Sequence, residues 1–144
     1  MKKLKLLFLP TILALAFSLL LSCSDKDKEE STSSSTSSYT ISGYVQKGPY
    51  VQGTEITVRE LYGNMTPSGR TFTGTIDDDT GSFSIKGNLA YRLVELSADG
   101  YYFNEVSGSL SASPLTLQAL SDLTYSSSVN VNLMTHLEKK EWST

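Results

Sequence analysis

An all-β, two-sheet sandwich is the fold this chain predicts beyond its first 38 residues, and three observations predict it. Apolar residues alternate with polar ones at a period of two in short runs, and Gly, Pro, Asn and Asp punctuate the intervals between those runs. No comparable stretch carries a helical period until the last residues. Short half-buried strands separated by turns, with no helices between them, pack face to face as two sheets.

The elements follow in order. Ile41, Gly43 and Val45 alternate with Thr40, Ser42 and Tyr44; Gly48-Pro49 ends that run. Ile56 and Val58 alternate with Thr57 and Arg59, and the turn-rich "GNMTPSG" at 63–69 follows. Phe72, Gly74 and Ile76 alternate with Thr71, Thr73 and Thr75, ending in "DDDTG" at 77–81. Phe83 and Ile85 lead to a further break expected at Gly87-Asn88. "YRLVELSA" at 91–98 is apolar on both faces and reads as a central strand. Asp99-Gly100 is a two-residue hairpin signal, expected to fold that strand onto "YYFNEV" at 101–106. Leu115, Leu117 and Ala119 supply the seventh strand.

The remaining residues divide into three pieces. Residues 1–22 read as a signal peptide, with Lys2, Lys3 and Lys5 ahead of an apolar run from Leu6 to Leu21. That run is broken by Pro10 and is shorter than the ~20 residues that cross a bilayer. Residues 23–38 comprise Cys23 and a linker, "SDKDKEESTSSSTSS", without one apolar residue after the cysteine. So polar a segment is expected to stay disordered, spanning roughly 20 Å on average and about 50 Å when extended. The β domain is expected over 39–125. In 126–144, Val129 and Val131 alternate with Asn, and Leu133, Met134 and Leu137 take helical spacing behind Asn132 as N-cap. A helix this short must dock or fray.

Leu20-Leu21-Ser22-Cys23 resembles the lipobox of bacterial lipoproteins. The resemblance implies that the Cys23 thiol takes a diacylglycerol, that the signal is cut before it, and that the new amine is acylated, anchoring the chain to membrane. The chemistry needs a thiolate, and one cysteine in an exported chain has no internal disulfide to make. The acidic "SDKDKEE" is similar to export signals that carry lipoproteins to the outer face of the outer membrane, so display at the cell surface is expected, the alternative being a solvated spacer on a periplasm-facing protein. Within the β region, Gly43 and Val45, Gly53, Gly81 and Phe83, Tyr91 and Leu93, and Gly100-Tyr101 match the turn and core pattern of transthyretin-like, carboxypeptidase regulatory-like domains. That resemblance implies a seven-strand sandwich and no particular activity. "VNVNLMTHLE" resembles the passage from such a domain into a helical region in longer surface lipoproteins, so the chain reads as a short form or a truncated product.

Charge and residue types narrow the function. Without the three signal lysines, 9 Lys and Arg remain against 15 Asp and Glu, a formal net charge of −6. So acidic a chain lacks the basic face that nucleic acid requires. Asp77, Asp78 and Asp79 invite a calcium reading, but the loop lacks spaced oxygen ligands, and Asp beside Gly is ordinary turn chemistry. His136 is the only histidine, with no second imidazole for zinc and no serine elbow for a hydrolase. Asp99 with Glu105 is the one candidate acid/base pair, and solvated strand-end carboxylates are the favoured reading. Lys47, Asn104 and Glu60 are candidates for an isopeptide cross-link, again with exposed groups favoured. Tyr44 lies opposite the Ile41/Val45 face, and Tyr102 opposite Tyr101 and Phe103, so some rings are expected outward, to stack on a sugar or protein or to pack at a sandwich edge. The expectation is a non-enzymatic, lipid-anchored binding or spacer module with no cofactor, no metal, no catalytic residue, and a protein or glycan ligand. The alternative is a structural subunit of a larger envelope complex.

Overall fold

The computed structural model describes residues 35–142, which belong to one compact unit. Cys23, the signal and nearly all of the linker lie outside the described residues.

Among the described residues nine strands and one helix follow in chain order: β1 Ser37–Gln46, β2 Glu55–Leu61, β3 Pro67–Thr75, β4 Ser82–Leu89, β5 Leu93–Gly100, β6 Phe103–Asn104, β7 Ser109–Leu110, β8 Leu115–Asp122, β9 Val131–Asn132 and α1 Leu133–Trp142. They form a three-stranded sheet, β4-β1-β9, a four-stranded sheet, β3-β2-β5-β8, and a small β6-β7 hairpin. The chain is thus mostly β, as its period of two implies. Inward positions of the two larger sheets meet in one core: Ile41, Val45, Phe83, Ile85 and Val131 from the first, Ile56, Val58, Val94, Leu96, Leu117 and Ala119 from the second. Alternation is visible in β4, whose Phe83, Ile85, Gly87 and Leu89 are buried while Ser84, Lys86 and Asn88 are exposed.

Three local expectations are corrected. Gly87-Asn88 is no break; β4 runs on to Leu89 because β1 pairs with it throughout, Tyr39 with Gly87, Ser38 with Asn88 and Ser37 with Leu89, and the bare glycine leaves room for the Phe72 ring, which a Cβ would meet at 2.9 Å. Asp99-Gly100 makes no hairpin turn. It is the end of β5, paired with Thr116 and Leu115 of β8, and Asp99 Oδ1 accepts a hydrogen bond from the Thr116 hydroxyl at 2.7 Å. Residues 101–106 consequently leave the sheet; only Phe103–Asn104 is strand, in the hairpin with Ser109–Leu110.

The seventh main strand is instead β9. Val45 and Val131 are partners in a parallel ladder with β1, and the backbone ahead of it is held by Ser42 N to Ser127 O at 3.0 Å and Val129 N to Ser42 O at 2.8 Å. Gly43 makes this approach possible, since a Cβ there would lie 1.9 Å from the Val129 carbonyl oxygen. Val129 and Val131 are buried as a result. The helix docks. Asn132 Oδ1 accepts from the N–H groups of Met134 and Thr135, and the Thr135 hydroxyl accepts from Asn132 N–H, a reciprocal cap. From the next turn Lys139 reaches Gln118 Oε1 at 2.8 Å and Glu95 Oε2 at 3.2 Å, fastening α1 to the four-stranded sheet.

Candidate binding face at the hairpin end

At the end of β1 the chain turns through Lys47-Gly48-Pro49 and re-enters the core at Tyr50. The segment after β5 crosses this turn: Phe103 N–H donates to Pro49 O at 2.8 Å, and Val51 N–H to Tyr101 O at 3.1 Å. These bonds orient 101–103 with Tyr102 inward. Its ring stacks on Tyr50, centroids 6.1 Å apart and planes 25° apart, while Tyr101 and Phe103 are exposed. The expected sides are therefore reversed here, because 101–103 follows the Lys47–Tyr50 turn and not the β5 register. Tyr44 does face outward.

Tyr50 is fully buried and donates its hydroxyl to Leu115 O at 2.7 Å. Burial, with Asp99 and then Tyr102 nearby, pushes its phenol far above the ordinary value of 10, so it remains a neutral donor. Above that stack the Lys47 ammonium donates to the Tyr102 hydroxyl at 2.8 Å and lies 4.8 Å from the centre of its ring. No carboxylate among the described residues pairs with Lys47.

The β6-β7 hairpin walls three adjoining grooves. One, of about 510 Å³, is lined by Lys47, Tyr102, Asn104, the serines at 107, 109, 111 and 113, and Leu110 to Leu115. A second, of about 540 Å³, runs over Val51 to Thr54, Asp99 and Tyr101. The third, of about 410 Å³, lies between Gln46 to Pro49, Glu105 and the start of α1. Asp99 and Glu105 therefore line different grooves and do not form one acid/base site. Lys47 and Asn104 do share a groove, but the isopeptide trio is not assembled. Glu60 sits near the opposite end of the sandwich with both oxygens engaged: Oε1 by Ser68 Oγ at 2.6 Å, Oε2 by the N–H groups of Ala90 at 2.6 Å and Tyr91 at 3.0 Å.

That Glu60 carboxylate is fully buried. A register shift in the β2–β3 ladder sets Ser68, Gly69 and Arg70 against the single residue Glu60, so both the Ser68 hydroxyl and, at 3.7 Å, the Arg70 guanidinium reach it. Burial raises its pKa, but the Ser68, Tyr91 and Ala90 hydrogen bonds and the Arg70 charge together outweigh burial and hold it below the ordinary 4.5. Beside it Tyr62 and Tyr91 meet edge to face, centroids 4.9 Å apart, both partly exposed.

The aspartates at 77–79 belong to a turn. Asp78 Oδ1 accepts from Thr80 N–H at 2.9 Å and from the Thr80 hydroxyl, and Gly81 N–H closes onto Asp78 O. No group of three or more His, Cys, Asp or Glu among the described residues is placed to hold a metal ion. His136 lies on α1 with its Nδ1 buried and without a hydrogen-bond partner among the described residues. The serines at 107, 109 and 111 were not singled out by sequence reasoning; their only signal is the "SGSLSAS" composition that follows an Asx turn at Asn104. No family model, curated protein or solved structure matches this chain.

Proposed function

We propose that this is a lipid-anchored, non-enzymatic protein of the bacterial outer membrane whose transthyretin-like sandwich presents the hairpin end to a ligand at the cell surface. The anchor is the acylated Cys23; two or more acyl chains, at about 0.8 kcal/mol per buried CH₂, hold it without help from a basic surface. The turn at Gly81 and the core positions of Val45 and Phe83 are in keeping with the transthyretin-like pattern.

The observation that carries the reading is the course of β1. It begins at Ser37 beside Leu89, directly after the linker, and ends at Gln46 next to the Lys47–Pro49 turn. Ten extended residues cover roughly 30 Å. Ser37 therefore lies at one end of the sandwich, and the grooves, with Lys47, serine hydroxyls and exposed aromatic rings, lie at the other.

Two measurements test it. Wild-type protein should enter the detergent phase on phase partition, and Cys23→Ala should move to the aqueous phase or stall in processing. Protease added to intact cells should cut within residues 24–38 and release the sandwich while a periplasmic control stays whole. Partition unchanged by Cys23→Ala defeats the anchor, and protection until lysis defeats surface display. A second reading, a subunit of an envelope complex, is favoured by one feature: Leu133, Met134 and Leu137 of α1 are exposed side chains on the docked helix. Cross-linking on live cells should then recover one stoichiometric partner through α1.

A further inference from the structure

We propose that the groove between Lys47 and the β6-β7 hairpin binds a carboxylate-bearing oligosaccharide, with the Lys47 ammonium as the carboxylate's partner. The inference rests on the binding-module reading above and names its ligand class.

Charge is the first argument. Lys47 is the only charged residue lining this groove, while Asp99 and Glu105 line the two grooves beside it. In a chain of net charge −3 this is a confined positive niche with acidic flanks, suited to one carboxylate and hostile to a polyanion. The ammonium is also held in place. The Tyr102 hydroxyl and ring fix it over the groove, and Tyr102 is itself fixed by the Tyr50 stack and by the N–H of Ser111, which donates to Tyr102 O at 2.9 Å. A cation ordered by a neutral partner keeps donors for an incoming anion and loses little side-chain entropy on binding.

The rest of the wall is the second argument. The Ser107 and Ser109 hydroxyls lie 2.9 Å apart, either one donating, and the Asn104 amide nitrogen has no partner among the described residues, its Oδ1 being taken by Val106 N–H. Hydroxyls and a carboxamide match the alternating donors and acceptors of a sugar ring. Leu110, exposed opposite Phe103 in the hairpin, offers an apolar surface to a ring's C–H face. A peptide ending in a carboxylate would also satisfy Lys47, but binding it by strand addition needs a length of open sheet edge, and β7 offers two residues. The volume of about 510 Å³ falls in the range of small-ligand sites.

The test uses the full chain in detergent and three probes in calorimetric titration: sialyllactose, a trisaccharide with one carboxylate, its methyl ester, and an acetylated tri-alanine with a free carboxylate. The acid trisaccharide should bind at least about tenfold more tightly than the ester, the difference expected when a charge-assisted hydrogen bond is lost. Lys47→Gln should erase that difference by bringing the acid's affinity down to the ester's. Tyr102→Phe keeps the ring stack but frees the ammonium, and should weaken the acid a few-fold. Equal binding of acid and ester, indifference to Lys47→Gln, tighter binding of the tripeptide, or no binding of any probe each overturns the proposal. Surface shaving is read separately, so a displayed protein that binds no probe refutes the ligand class alone, and a bound probe on a protein shielded from protease refutes display alone.

Discussion

Removing the carboxylate of Glu60 should be among the most damaging single changes in this domain. Its side chain is fully shielded from water, and three hydrogen bonds converge on it, two of them from the backbone of the loop after β4. Glu60→Ala leaves the Ala90 and Tyr91 N–H groups and the Ser68 hydroxyl without that acceptor. Each buried donor left unsatisfied costs about 1–3 kcal/mol, so about 4 kcal/mol is expected for the group. Glu60→Gln should cost much less, about 1–2 kcal/mol. One carbonyl oxygen placed at Oε2 still accepts both backbone N–H groups, and the Ser68 hydroxyl can turn to accept from the new amide. Arg70→Ala should cost under about 1 kcal/mol, since that guanidinium is 42% exposed and 3.7 Å away. Acid adds a second readout. Because the folded carboxyl lies below its unfolded value, the unfolded chain takes up the proton first; the stabilisation is complete above 4.5 and is lost as pH falls through the depressed folded value. The gap between wild type and Glu60→Gln should therefore narrow on acidification through that window. Asp78, held low by the Thr80 hydroxyl and N–H, and Asp122, by those of Thr124, are common to both proteins and cancel. Urea unfolding of the full chain, followed by far-ultraviolet circular dichroism at stepped pH, measures all of this. A cost for Glu60→Ala within about 1 kcal/mol of zero, or a gap that does not change with pH, would refute the reasoning.

Two further outcomes follow from the C-terminal strand. Gly43→Ala places a methyl 1.9 Å from the Val129 carbonyl, so backbone must move and β9 lift; unburying Val129 and Val131 should cost about 2–4 kcal/mol and speed exchange of the Val129 amide, which now donates to Ser42 O. A chain ending at Tyr125 loses β9 and α1 together, and calorimetry should find a melt well below that of the full chain; an unchanged melting temperature would show that the segment contributes no stability.

The sequence is legible where burial follows a strand's own alternation. Ile41 and Val45, Ile56 and Val58, Phe83 and Ile85, and Leu117 and Ala119 all point into the core, as their spacing implies. Val129 and Val131 carried the same signal, but what gives it meaning is a parallel partner, Val45, far back in the chain. Nothing local marks that pairing. Asp99-Gly100 shows the converse: a strong local turn signal is overruled because β8 extends the ladder past it. Glu60 was readable in part. It continues the inward set of Ile56 and Val58, and a carboxylate at an inward strand position demands partners; which partners depended on the bulge at 68–70, and that is tertiary. The hairpin site was half visible, in Lys47, Asn104 and the tyrosines, whereas its serines looked like loop composition.

The two ends of the sandwich use similar groups to opposite effect. At the end where the linker joins β1, a buried charge is saturated by two backbone N–H groups, a hydroxyl and a guanidinium, and the two tyrosines beside it pack edge to face. A carboxylate so fully paired acts within the fold, fixing the loop after β4 and the bulge in β3 close to where β1 begins. At the hairpin end the order is inverted. The stacked tyrosine pair is the satisfied part, Tyr50 bonded to Leu115 O beneath the surface, and the charge lies on top of it, bonded only to a neutral hydroxyl. A charge left open on a rigid support is what recognition requires, because the cost of ordering it has already been met in folding.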